Sequence, residues 1–101
     1  MNDLPGYDKA TELGYTLHHY SGDRKQASYL KDGVTLTVRR TPTSVYGYDE
    51  LKAELWAVLG LVELRVSDFQ FPHPRFEMLE KQIRTVLNVC NAESEAERNA
   101  A

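Results

Sequence analysis

An α+β domain, in which a mainly antiparallel four-stranded sheet is covered on one face by helices in the order α-β-β-β-α-β-α, is predicted by three observations. Asp32-Gly33 lies between two runs of alternating polarity, the signature of a two-residue hairpin whose central residues both need positive φ. Apolar residues recur at helical spacing in two later stretches, around residues 51–59 and 76–90. Proline-containing corners, Thr41-Pro42 and Pro72-His73-Pro74, separate extended segments from those stretches.

Residues 7–13 read as a short helix, with Ala10 and Leu13 on one side and Gly14 where a left-handed cap is expected. Residues 15–20 then alternate Tyr15, Leu17 and His19 against Thr16, His18 and Tyr20. In the following hairpin a two-residue turn fixes the register: Lys31 opposes Val34, Tyr29 opposes Leu36, and Ala27 opposes Val38. Ala27, Tyr29, Val34, Leu36 and Val38 therefore face inward, while Gln26, Ser28, Thr35, Thr37 and Arg39 face out. For Leu17 to join the inward set its strand must pair with Ala27 or Tyr29 through a three-residue loop drawn from residues 21–24. That register puts His19 on the core side and His18 with Tyr20 in water.

Proline cannot donate to a ladder, so Pro42 closes the meander. Leu51, Leu55, Val58 and Leu59, with Asp49 and Glu50 in the first turn, predict a helix over residues 48–59 that Gly60 stops. On that helix Trp56 falls about 110° from the centre of the apolar stripe, at about 100° per residue, and is half exposed. Val62, Leu64 and Val66 alternate with Glu63, Arg65 and Ser67 as a fourth strand. The apolar parity then moves to Phe69 and Phe71, which requires a bulge near Ser67-Asp68. Pro74 opens a final helix whose buried stripe is Phe76, Leu79, Ile83, Val86, Leu87 and Cys90. Residues 91–101 lack an apolar face and are expected as a frayed acidic tail, which leaves residues 1–90 as a single domain.

At 101 residues, with 42% hydrophobic and 27% charged side chains, the chain can bury one core without disulfides or a structural metal. The single cysteine, Cys90, forms neither an internal disulfide nor a zinc quartet, which fits a reducing compartment. Residues 1–6 carry no basic region or apolar stretch of a secretory leader, and the apolar run over residues 56–62 is too short for a bilayer. The expectation is a soluble cytoplasmic protein. A net charge of −3 exerts no strong global field, although residues 46–101 are the more acidic part.

No motif announces chemistry. His18 and His19 are adjacent on a strand and point to opposite faces, so they cannot converge on one ion or proton. His73 sits between prolines, where it ends a strand or caps a helix. With no H-x-H, H-E-x-x-H or Cys/His cluster, no metal is expected. Cys90 falls in an apolar stripe, where a thiol packs as a small hydrophobe. Phosphate-binding and hydrolase signatures are missing, so no cofactor and no enzymatic activity are expected. An enzyme with a long-range constellation that no motif announces is the third reading.

Arg24, Lys25, Arg39 and Arg40 gather at one end of the hairpin beside Tyr20 and Tyr46 and would form a nucleic-acid surface, diluted by Asp23 and Asp32. A protein partner has more candidate surface. Trp56, the corner tyrosines Tyr46 and Tyr48, and His18 with Tyr20 on the outer sheet face are of types that anchor interfaces. Met78, Gln82, Thr85 and Val89 form a second seam on the final helix, a contact for a homodimer. The leading reading is thus a small non-enzymatic protein-binding module acting as adaptor, inhibitor or regulatory subunit. Inhibitors carried by phages and other mobile elements are chains of this size. The alternative is a nucleic-acid-associated protein that uses the basic hairpin end.

Overall fold

Asp32 and Gly33 both take positive φ, 50° and 82°, and the hairpin they close has the register that alternation requires, with Lys31 opposite Val34, Tyr29 opposite Leu36 and Ala27 opposite Val38. The computed structural model describes residues 3–42 and 49–100, with side chains for 3–41 and 50–89. The chain runs as helix α1 (Tyr7–Glu12), strands β1 (Thr16–Tyr20), β2 (Gln26–Lys31), β3 (Val34–Pro42), β4 (Asp49–Leu59) and β5 (Val62–Gln70), then helix α2 (Phe76–Ala100). The five strands form one antiparallel meander in sequence order.

The class is α+β as expected, but the sheet has five strands because residues 49–59 form β4 instead of a helix. The run Leu51, Ala53, Leu55, Ala57, Leu59 has a period of two once the alanines count as apolar, and Ala53, Leu55 and Ala57 are buried. The small side chains of Ala53 and Ala57 leave room for α2, which lies against β4 and β5 on that face. Thr35 opposite Trp56 and Val38 opposite Ala53 show β3 using β4 as its second neighbour.

Other elements follow local chemistry. Helix α1 is capped by Leu13, which is followed by Gly14 at φ 91°, the left-handed position that glycine tolerates. Leu55 pairs with Val66 and Ala53 with Phe69, so Ser67 and Asp68 together oppose Glu54; this is the expected bulge, with Asp68 at φ 59°. A second bulge interrupts β1. Leu17 pairs with Tyr29, one of the two partners expected, but His19 pairs with Ser28 and Tyr20 with Ala27. His18 is the extra residue. His19 consequently lies on the outer face and Tyr20 on the edge of the core face, the reverse of the strict alternation.

Around the second corner, Arg75 N–H donates to Nδ1 of His73 (2.9 Å), and His73 caps the entry to α2, which begins at Phe76 two residues after Pro74. Phe76 and Ile83 are buried, and Leu79 and Leu87 pack against the core; Val86, expected in the same stripe, is instead exposed. The side chain of Cys90 lies outside the described residues. The helix continues to Ala100 instead of ending at Cys90. Residues 91–100 are rich in Ala and Glu with one Arg, good helix formers that need no apolar face to extend an existing helix.

The core lies between the sheet and the two helices. Tyr29, Leu36, Leu55, Val34 and Val38 are fully buried, and Phe69, Phe71 and Phe76 close one end with tilted or edge-on rings. Two tyrosines tie the layers together. The Tyr29 hydroxyl donates to the Pro5 carbonyl (2.6 Å), and the Tyr15 hydroxyl donates to Oε2 of Glu80 (2.8 Å) on α2. Arg84 bonds both Glu80 Oε1 (3.3 Å) and the Lys31 carbonyl (3.1 Å), so the same helix turn is fixed to the hairpin.

Burial pushes the Tyr29 hydroxyl up to about 12. Burial, and then the Glu80 carboxylate, push the Tyr15 hydroxyl higher still. Both would ionise near pH 10 in the unfolded chain, so above that pH the folded state holds protons that unfolding releases. This stabilising difference is fully present below about pH 10 and is lost as pH rises through the folded values, by up to about 1.4 kcal/mol per unit for each tyrosine. The urea midpoint should therefore stay level from about pH 7 to 9 and fall between about pH 10 and 12. The fall should be shallower in Tyr15→Phe; an identical alkaline slope in that variant would remove Tyr15 as a cause.

Candidate binding face

With both helices on one side, no described element covers the other face of the sheet, and strand register assigns its side chains to rows. One row runs Thr16, Leu30, Thr35, Trp56, Arg65 from β1 to β5. The next runs His19, Ser28, Thr37, Glu54 and ends at the Ser67-Asp68 bulge. A third runs Gln26, Arg39, Lys52, Gln70. Trp56 thus belongs to a strand, not to the expected helix, and it stands near the middle of this face, partly buried.

Hydrogen bonds hold the centre. Trp56 Nε1 donates to Thr37 Oγ1 (3.3 Å), and Thr37 shares a hydrogen bond with the Ser28 hydroxyl (3.3 Å), so one polar ladder crosses β4, β3 and β2. The indole is therefore oriented by its neighbours within the sheet. Leu30 and Val58, 41% and 57% exposed, extend the apolar ground on either side of it. Charges around them are matched: Arg39 pairs with Asp68 and Arg65 with Glu63, and Lys52 lies two residues from Glu54 on the same face of β4. The face is aromatic at its centre, hydroxyl-rich along one row, and close to neutral.

The four cations of the hairpin end do not form one surface. Arg39 and Arg40 are successive strand residues on opposite faces, and Arg39 is paired with Asp68. Arg24 Nη1 donates to Asp3 Oδ2 (2.5 Å) and Arg40 Nη2 to the Asp3 carbonyl (3.0 Å), so both turn toward the N-terminal segment. The Arg24 guanidinium holds the Asp3 carboxyl below the usual carboxylate range. Lys25 is exposed in the β1–β2 loop.

His18, at the bulge, lines an open cleft of about 370 Å³ beside Gly14, Thr16 and Lys31, while Tyr20 lines a small pocket with Asp3, Leu4 and Arg24. His73 lines a different cleft, of about 460 Å³, with Lys9, Leu13 and Phe76. Among the described residues no three His, Cys, Asp or Glu side chains come together as a metal site would need, and no helix is long and apolar enough to cross a membrane. Met78 and Val89 are exposed on α2, away from the uncovered sheet face. Tyr46 and Tyr48 lie outside the described residues. The row that Trp56 shares with Thr35 and Arg65 escaped sequence reasoning because it depends on β4 being a strand. Compared with family models, with curated proteins and with solved structures, the chain matches none.

Proposed function

We propose that this chain is a non-enzymatic protein-binding module, of the adaptor, inhibitor or regulatory kind, that holds its partner on the uncovered sheet face around Trp56. The observation that carries the reading is the placement of Trp56. A tryptophan pre-oriented by its bond to Thr37 and flanked by Leu30 and Val58 offers a rigid apolar anchor with a polar rim, the composition that concentrates binding energy in protein interfaces. The matched charges of this face would attract neither a polyanion nor a polycation from a distance, which favours a protein over a nucleic acid.

The test is capture on immobilised protein. A partner retained from host extract by the parent chain should be lost on Trp56→Ala, with binding weakened by about 30-fold or more, the effect of removing an anchor of about 2 kcal/mol. The variant should keep its circular dichroism spectrum and most of its thermal stability. Retention of the same partner at parental affinity, or unfolding of Trp56→Ala, would overturn the assignment.

A further inference from the structure

The edge of β5 and the exposed flank of α2 carry a second surface, which meets the Trp56 face at Glu63 and Arg65. We propose that two copies of this chain associate about a two-fold axis through Leu64, joining their β5 edges into one continuous sheet and setting their α2 helices side by side. Among the described residues β5 has β4 on one side only, and its other edge is not paired with another strand. The Ser67-Asp68 bulge interrupts the distal part, which leaves residues 62–66 as the flat, pairable stretch.

Register makes this edge complementary to itself. For both pairs of helices to lie on the same side of a joined antiparallel sheet, inward residues must oppose inward residues, so the axis must pass through a residue and not between two. An axis at Glu63 sets that carboxylate against Glu63 of the partner subunit, and an axis at Arg65 sets two guanidinium groups together; both cost energy. An axis at Leu64 sets Glu63 against Arg65 of the partner subunit and Arg65 against Glu63 of the partner subunit. It also sets Val62 against Val66 of the partner subunit. Opposite charges then meet on the outer face twice, and apolar side chains meet on the helix side.

The helix layer agrees with the same axis. Leu64 and Val66 border a cleft of about 170 Å³ with Gln82, Ile83 and Val86, so the middle of α2 lies over the proposed centre. Met78, Val86 and Val89, 46%, 45% and 52% exposed, follow one another along the outer flank of the helix. Two-fold rotation about a point near Gln82 brings Met78 of one copy opposite Val86 of the partner subunit. The strand stretch and the helix seam are each about 15 Å long. With two layers about 10 Å apart, the contact is at the modest end of specific interfaces, which implies a dissociation constant in the micromolar range. The Trp56 face stays uncovered in such a dimer.

Sedimentation over about 1 to 200 μM, a range that brackets micromolar dissociation constants, tests the axis through its charges. The parent should approach twice its 11.5 kDa chain mass at the upper concentration. Arg65→Glu and Glu63→Arg should each remain at the chain mass, because every two-fold contact then opposes like charges. Mixing these two variants in equal amounts should restore the dimer as a heterodimer, and the double exchange Glu63→Arg with Arg65→Glu should dimerise like the parent. Val86→Glu should also stay monomeric. Both charged positions are exposed, so circular dichroism should be unchanged in all variants. A parent that is monomeric throughout, single variants that dimerise as the parent does, or a mixture that stays monomeric would each overturn the proposal.

Discussion

Tyr29→Ala should lower the free energy of unfolding by about 3–5 kcal/mol, the range for deleting a large buried aromatic. Against a total of about 5–15 kcal/mol for an ordinary domain, this is enough to leave a substantial unfolded fraction. Three losses combine. The ring is fully buried between Tyr7 and the sheet, with the Tyr7 centroid 6.5 Å away. Its removal leaves a cavity at the junction of the N-terminal segment and the hairpin. The hydroxyl holds the Pro5 carbonyl at 2.6 Å, the bond that fastens the approach to α1 onto β2. Tyr29→Phe separates these contributions, because it keeps the ring and strands only the carbonyl, at a cost of about 1–3 kcal/mol. Urea unfolding of the two variants beside the parent checks both figures. If Tyr29→Phe were as stable as the parent, the Pro5 bond would contribute nothing, and the N-terminal segment would be held by packing alone.

How much of this architecture is written locally can be judged residue by residue. The Asp32-Gly33 hairpin was legible in full because two positive-φ positions and a two-residue turn leave only one register. The bulge at Ser67-Asp68 was legible because Phe69 and Phe71 change parity, and a parity change in a strand has few causes. β4 was misread for a physical reason. Leu51, Leu55, Val58 and Leu59 satisfy a helical stripe, while Leu51, Ala53, Leu55, Ala57 and Leu59 satisfy a strand; alanine decides between them and has no strong preference for being inside. A local cue was present. Gly60-Leu61 connects Leu59 to Val62 as a two-residue hairpin loop with Gly60 at φ 56°, and a glycine there suits a primed turn as well as it suits a helix stop. The β1 bulge at His18 left no trace in residue type, so the faces of His19 and Tyr20 came out exchanged.

The candidate face was legible in part for the same reasons. Its β2 and β3 members, Gln26, Ser28, Thr35, Thr37 and Arg39, followed from the hairpin register alone. The sequence marks Trp56 as a half-exposed aromatic, but its neighbours on a helix would be residues three and four positions away. On a strand they are Thr35 and Arg65, which lie about twenty and nine residues away and become adjacent only through pairing. The bonds that orient the indole are therefore non-local and could not be read from the segment itself.

Gly6→Val should destabilise the fold by roughly 2–5 kcal/mol, more than Gly33→Val at roughly 1–3 kcal/mol, and the comparison separates backbone strain from collision. Both glycines have positive φ, 72° and 82°, a region in which a β-branched side chain is strained wherever it is placed. At Gly33 strain is nearly the whole cost, because a Cβ there would meet nothing nearer than Leu87 Cδ2 at 3.9 Å. At Gly6 a Cβ would stand 2.9 Å from Phe71 Cε1 and 3.2 Å from Val38 Cγ1. Phe71 is buried against Phe76, and Val38 is fully buried in the sheet, so neither can move aside without disturbing the core. Gly6 is also the N-cap residue of α1, and displacing it pulls on the Pro5 carbonyl held by Tyr29. Alanine at each position refines the test: Gly33→Ala should show a small loss due to φ alone, and Gly6→Ala should exceed it, because its single methyl already makes the 2.9 Å contact. Equal losses at the two positions, read from urea midpoints, would mean that the N-terminal segment yields to the added atom, and that its seat against Phe71 is looser than the contacts imply.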